Sequence, residues 1–142
     1  MTRPQRHPDL VQTVIDTTDV RGLAEFYRQL LGYAYRPGDE PAAQDGDDGD
    51  DKEWLVLRDG DGHNRLAFQQ VERLERTTWP DPAVPMQMHL DCSVPDVAEL
   101  ERQRGLAEGL GARLVFDRRD DPEEPLYVFA DPAGHPFCIF VA

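Results

Sequence analysis

The sequence predicts an α+β protein in which one domain of 142 residues holds two βαβββ modules. Three observations predict it. Strand-like and helix-like segments follow the same order in each half, the halves share a register, and similar turns precede the last strand of each.

In the first half, LVQTVID (10–16) is rich in β-branched residues and reads as a strand. Thr18 or Asp19 can cap the helix that follows, where Val20, Leu23, Phe26, Tyr27, Leu30 and Leu31 recur at three- and four-residue spacing. Gly32 stands where a helix commonly closes. YAYRP (33–37), EWLVLRD (53–59) and RLAFQQV (65–71) supply three more strands and complete module one, residues 10–71. ERLERTTWPDPAVP, with three prolines, reads as a linker over 72–85. Module two (86–142) opens on the alternating strand MQMHLDCSV (86–94). A helix over 96–111 follows, with Val97, Leu100, Leu106 and Leu110 as apolar positions and Gly105 as a weak point. ARLVFD (112–117), PLYVFAD (125–131) and PFCIFVA (136–142) are the closing strands.

An offset of 77 lays Asp19-Val20 on Asp96-Val97 and Gln12 on His89. Asp59-Gly60-Asp61-Gly62 likewise parallels Asp131-Pro132-Ala133-Gly134. Self-similarity of this kind marks a duplicated unit.

Charge narrows the partners. With 28 acidic against 15 basic residues the formal charge is −13, which argues against nucleic acid and anionic membrane surfaces. No apolar run approaches the roughly 20 residues of a membrane span. Arg3 and Arg6 are followed by no apolar run, so the start does not read as a signal peptide and a cytoplasmic protein is expected. Cys92 and Cys138 are too few for a disulfide framework. Residues 39–53 hold eight acids and one base, which predicts a solvated acidic loop; its spacing lacks the Gly and Glu of an EF-hand.

Alternation along a strand separates its faces. Gln87, His89, Asp91 and Ser93 share one face, and Met86, Met88, Leu90, Cys92 and Val94 the other. The apolar set should pack on the helix. The polar set needs water or a ligand cavity, because buried polar groups without partners are costly. By the repeat, Gln12, Val14 and Asp16 share that cavity face in module one, and Cys92 and Cys138 point to opposite sides of their sheet.

LAEFYRQLLGY (23–33), HLD (89–91) and DPAGHPFCIF (131–140), set on two βαβββ modules, resemble the vicinal oxygen chelate superfamily. The nearest likeness is to its glyoxalase-like, bleomycin-resistance-type proteins. The resemblance implies that the modules pair their curved sheets around one cavity. In metal-dependent members a divalent ion is held there by one residue on the first and one on the fourth strand of each module. Those positions here read Gln12, Ala67 (or Gln69), His89 and Cys138, without a carboxylate. A metal-free cavity is therefore expected, with no confident cofactor; were an ion to bind, Gln12 and His89 would be its ligands.

The resemblance implies a lyase or isomerase acting on a small oxygenated molecule, with His89 and Asp91 as catalytic residues. Gln12, Trp54, Gln69, Trp79 and Cys138 would contact the substrate, Trp79 by capping the cavity from the linker. The alternative it implies is a metal-free protein that sequesters a small cationic or aromatic compound such as an antibiotic. It also implies a homodimer. His63 and His135 read as exposed turn residues, and a nucleophilic Cys138 would need a lowered pKa.

Overall fold

The computed structural model describes residues 7–41 and 51–142. Module one contributes β1 (Thr13–Thr17), α1 (Val20–Leu31), β2 (Ala34–Tyr35), β3 (Trp54–Arg58) and β4 (Asn64–Gln70). Module two contributes β5 (Leu90–Val94), α2 (Val97–Gly109), β6 (Arg113–Arg118), β7 (Leu126–Ala130) and β8 (Pro136–Val141). They form two four-stranded sheets of order β1-β4-β3-β2 and β5-β8-β7-β6. In each, the first strand of the module pairs in parallel with the last, while the remaining pairs are antiparallel. This is the expected duplication, with Val14 opposite Ala67 in sheet one and Asp91 opposite Cys138 in sheet two.

Local chemistry sets the helices. Asp19 caps α1 by accepting from the Gly22 N–H at 3.0 Å, and Gly32 closes it in the left-handed region at φ 70°. The buried stripe of α1 is Val20, Leu23, Ala24, Phe26 and Tyr27. Asp96 caps α2 through the Glu99 N–H at 2.8 Å. Only Leu100 and Ala107 are buried on that helix; Val97 and Leu106 are exposed, against the sequence reading. Ion pairs one turn apart, Arg102 with Glu99 and Arg104 with Glu108, support α2 where burial does not.

Two further expectations are corrected. β5 begins at Leu90 and not at Met86, because Leu90 is opposite Phe137 and the chain preceding β8 is a turn with no ladder to offer. Asp39, assigned to the solvated loop, is buried: its carboxylate accepts from the Val56 N–H at 2.9 Å and pairs with Arg36 at 3.2 Å. Residues 42–50 of that acidic segment lie outside the described residues.

The modules meet at α1. Phe26 and Tyr27 pack edge-on against Phe137 of β8, at centroid separations of 5.9 and 6.0 Å, while Tyr27 stacks on Phe68 of its own sheet. The buried Tyr27 hydroxyl donates to Asp131 at 2.6 Å. Asp131 also accepts from the Ala133 and His135 N–H groups, so the carboxylate is satisfied although burial pushes its pKa up. His135 is not a free turn residue, since its ring donates from Nε2 to the Asp16 carbonyl at 2.6 Å and ties the modules together. The linker lies on the same turn. Thr77 N–H donates to the Gly134 carbonyl at 2.9 Å, and at φ 95° a Cβ on Gly134 would sit 2.7 Å from that of Arg76.

Replacing Tyr27 by Phe leaves the buried Asp131 carboxylate short of one donor. The expected loss is about 1–3 kcal/mol of unfolding free energy in urea melts. An unchanged midpoint would show that the inter-module hydrogen bond contributes nothing net.

Candidate functional site

Parallel pairing of β5 with β8 fixes Asp91 beside Cys138. His89, the residue before β5, lies two positions from Asp91, and its Nε2 is 3.1 Å from Asp91 Oδ1. The donor atoms of His89, Asp91 and Cys138 all lie within 4.8 Å of one another. His89 and Asp91 are exposed and Cys138 is half buried. The alternation read from the sequence therefore holds at Asp91 and Ser93, which are exposed, against Leu90, Cys92 and Val94, which are partly buried.

Burial, reinforced by the neighbouring Asp91 charge and a hydrogen bond to Asp91, pushes the Cys138 thiol up to about 11. Burial, with Asp91 again, pushes Cys92 on the opposite face up to about 11. Both cysteines are free thiols. A thiol held protonated is a poor nucleophile near neutrality, so the lowered pKa that nucleophilic chemistry requires is not provided.

The register extends this site across sheet two. Asp91 is opposite Cys138, Cys138 opposite Val128, and Val128 opposite Phe116, so one row runs from carboxylate to thiol to aromatic ring. Trp79 packs edge-on against Phe116 at 5.5 Å, which puts the linker aromatic at the far end of that row. Phe116 escaped the sequence reading because a bulge between Leu114 and Phe116 switches its face, whereas plain alternation pairs it with Leu114. The matching row of sheet one is Val14, Ala67 and Val56, which carries no polar side chain.

The other site residues fall elsewhere. Gln12 Oε1 accepts from Asn64 Nδ2 at 3.1 Å, and Asn64 Oδ1 accepts from Arg58 Nε at 2.8 Å, so the Gln12 amide is held within sheet one. Trp54 and Gln69 are cross-strand partners, both exposed. An open cavity of about 830 Å³ between residues 10–13 and 90–93 is lined by Gln12, Asn64, Arg65, Asp91 and Ser93. A second, of about 600 Å³, lies under the linker and is lined by His89, Val14, Asp16, Met88 and His135. Gln12 thus shares a cavity with Asp91, whereas His89 lines the other.

Asp59, Asp61 and His63 also bring donor atoms within 4.8 Å. Asp59 Oδ1 there accepts the Asp61 and His63 N–H groups at 3.0 Å, as Asp131 does in module two, so the turn itself accounts for that cluster. No helix among the described residues is long and apolar enough to cross a membrane.

A family model described as a glyoxalase-like domain matches residues 12–140. No curated protein matches the chain in sequence. Among solved structures, the fold is similar to that of a glyoxalase/bleomycin resistance protein/dioxygenase family enzyme from Burkholderia phytofirmans. Identity is 17% and the TM-score 0.67, covering 94% of this chain and 98% of that one. It is also similar to the fosfomycin resistance protein FosX from Mesorhizobium loti, at 17% identity and TM-score 0.60, covering 100% and 94%. Lactoylglutathione lyase from Agrobacterium tumefaciens gives 16% identity and TM-score 0.57, covering 97% and 96%. At these identities the likeness shows the fold alone.

The raised thiols predict that alkylation of Cys92 and Cys138 by iodoacetamide is slow at pH 8 and keeps accelerating past pH 10. A rate that levels off near pH 7, and drops when His89 is replaced by Gln, would instead reveal a His-activated thiolate.

Proposed function

The chain belongs to the glyoxalase-like domain family, and on that premise we propose that it acts on a small oxygenated organic molecule as a lyase or isomerase. The proposed site is the face of sheet two bearing His89, Asp91 and Cys138. The observation that supports this reading is the 3.1 Å contact of His89 with Asp91 beside Cys138, with Asp91 lining one open cavity and His89 the other.

In this reading the Asp91 carboxylate, 3.1 Å from His89 Nε2, orients the ring and leaves Nδ1 to accept a proton. Nδ1 then takes a proton from the position next to a carbonyl and returns it one atom away. Gln12 and Asn64, lining the Asp91 cavity, offer amide hydrogen bonds to the substrate's oxygens. Trp79 caps the apolar end of the row over Phe116, while Trp54 and Gln69 flank sheet one. The donor set also fits a divalent ion of the kind the family implies: His89, Asp91 and Cys138 would hold it, and it would polarise a substrate oxygen as a Lewis acid.

A second reading is sequestration of a small aromatic or cationic compound without reaction. What favours it is the exposed Phe116 under Trp79, in one row with the Asp91 carboxylate, on a chain of charge −13. A homodimer belongs to the proposal too. Leu10, Val11, Val14 and Met88 are 93, 59, 44 and 70% exposed and adjoin the two cavities. A second copy seated there covers this apolar strip and joins the faces that Gln12 and His89 occupy separately.

Exchange of carbon-bound protons in heavy water, followed by NMR on a panel of 2-oxo and 2-hydroxy carbonyl compounds, tests the reaction. The wild-type protein should exchange at least one compound, and His89→Gln should slow it by about 100-fold or more. No exchange with any compound, alongside a raised melting temperature with aromatic cations, would favour sequestration. Light scattering should give twice the 16.1 kDa chain mass; a single chain mass would remove the dimer.

A further inference from the structure

We infer that the linker is a strap that sets the position of His89, with Trp79 and Phe116 as the positioning residues that anchor its tip. His89 precedes β5 and stands on no ladder. The phase of the β5–β8 pairing follows from its far end, where the Val94 carbonyl accepts from the Ala142 N–H. One repeat before Leu90 in that phase, the Met88 carbonyl would need the N–H of Pro136, and proline has none. The ladder therefore stops at Leu90, and residues 85–89 reach the site as an unpaired leg.

What holds that leg is at its two ends. On one side β5 begins; on the other is the tip, residues 78–84, which is closed on itself. The Thr78 hydroxyl donates to the Asp81 carbonyl and accepts from the Val84 N–H, both at 2.9 Å, and the Asp81 carboxylate accepts from the Ala83 N–H at 2.8 Å. The stem before the tip is pinned to the Gly134 turn, by the Thr77 N–H on the Gly134 carbonyl and by Arg76 Nη1 on the Pro132 carbonyl at 2.9 Å. Trp79 seats the tip on sheet two through its edge-on contact with Phe116 at 5.5 Å. Beneath the leg lies the open cavity of about 600 Å³ lined by Val84, Met86, Met88 and His89, so no packed floor supports it.

Because the tip is bonded internally, it moves as one piece, and the ring contact on Phe116 fixes where the leg starts. Only residues 85–89 separate that point from β5. A displaced tip therefore carries His89 away from Asp91, which the ladder keeps in place. Loss of the ring contact breaks the 3.1 Å approach of His89 Nε2 to Asp91 without altering either residue. A misplacement of about 1 Å at a reacting group costs roughly 100-fold in rate. The inference rests on the proposed site and not on its reaction, since the strap orders His89 whatever the ring does to a bound molecule.

The experiment reads the histidine ring nitrogens of the full chain by nitrogen-15 NMR at pH 8, with His89 assigned through His89→Gln. The wild type should hold His89 as the single Nε2–H tautomer. Trp79→Ala and Phe116→Ala should each mix the two tautomers, and Trp79→Phe, which keeps a ring on Phe116, should restore one. A Gly-Gly insertion after Val84 slackens the leg with the ring contact intact. It should mix the tautomers too, and it decides the matter should an alanine variant fold poorly by circular dichroism. Val97→Ala, at an exposed position of α2, should match the wild type. Any compound whose protons the wild type exchanges should react at least about 10-fold more slowly in Trp79→Ala, in kcat and with KM little changed. A mixed wild type, a single tautomer that survives the Phe116→Ala or Gly-Gly change, or an effect on KM alone would each overturn the inference. A protein that behaves this way by NMR and exchanges no compound keeps the strap and loses the lyase reading.

Discussion

Parallel pairing between the first and last strands of a module is the constraint on which the candidate site depends. Those strands are far apart in sequence, and only their ladder brings Asp91 beside Cys138 and Val14 beside Ala67. Because side chains alternate, a one-residue slip of either strand would turn its member of the pair to the helix side and separate the two. The helices prevent that slip by burying the opposite rows: Leu66 and Phe68 in sheet one, Phe137 and Ile139 in sheet two, all in one core with α1. Packing on one face thus fixes chemistry on the other.

Duplication supplied two such rows, and the sequence has treated them differently. The row of module one is apolar from Val14 to Val56, whereas that of module two runs from a carboxylate through a thiol to an aromatic ring. The junction is asymmetric in the same way. Tyr27 of α1 reaches across to Asp131, and the Gly134 turn carries both the linker and the His135 bond to Asp16. An open cavity lies between residues 10–13 and 90–93, and a second lies under the linker.

Much of this was legible in the sequence, because it rests on local rules. The cap at Asp19, the left-handed Gly32 and the polar alternation of Asp91 and Ser93 depend on neighbours a few residues away, and the repeat shows in element order. What was not legible depends on pairing between distant segments. Met86 to His89 alternates like a strand but finds no ladder opposite it. The bulge at Leu114/Phe116 reverses a face without any local signal. Asp39 sits at the head of a strongly acidic run, yet Arg36 and the Val56 amide bury it. The partnership of Cys138 with Asp91 needed the register, since the two are far apart in sequence and the family pattern set Cys138 with Gln12, Ala67 and His89.

The most direct measurement is a crystal structure of the chain. The account predicts Asp91 opposite Cys138 on the β5–β8 ladder, with His89 Nε2 in hydrogen-bond reach of the Asp91 carboxylate. A ladder slipped by one residue, with Asp91 opposite Phe137 or Ile139, would contradict the site built on that pairing.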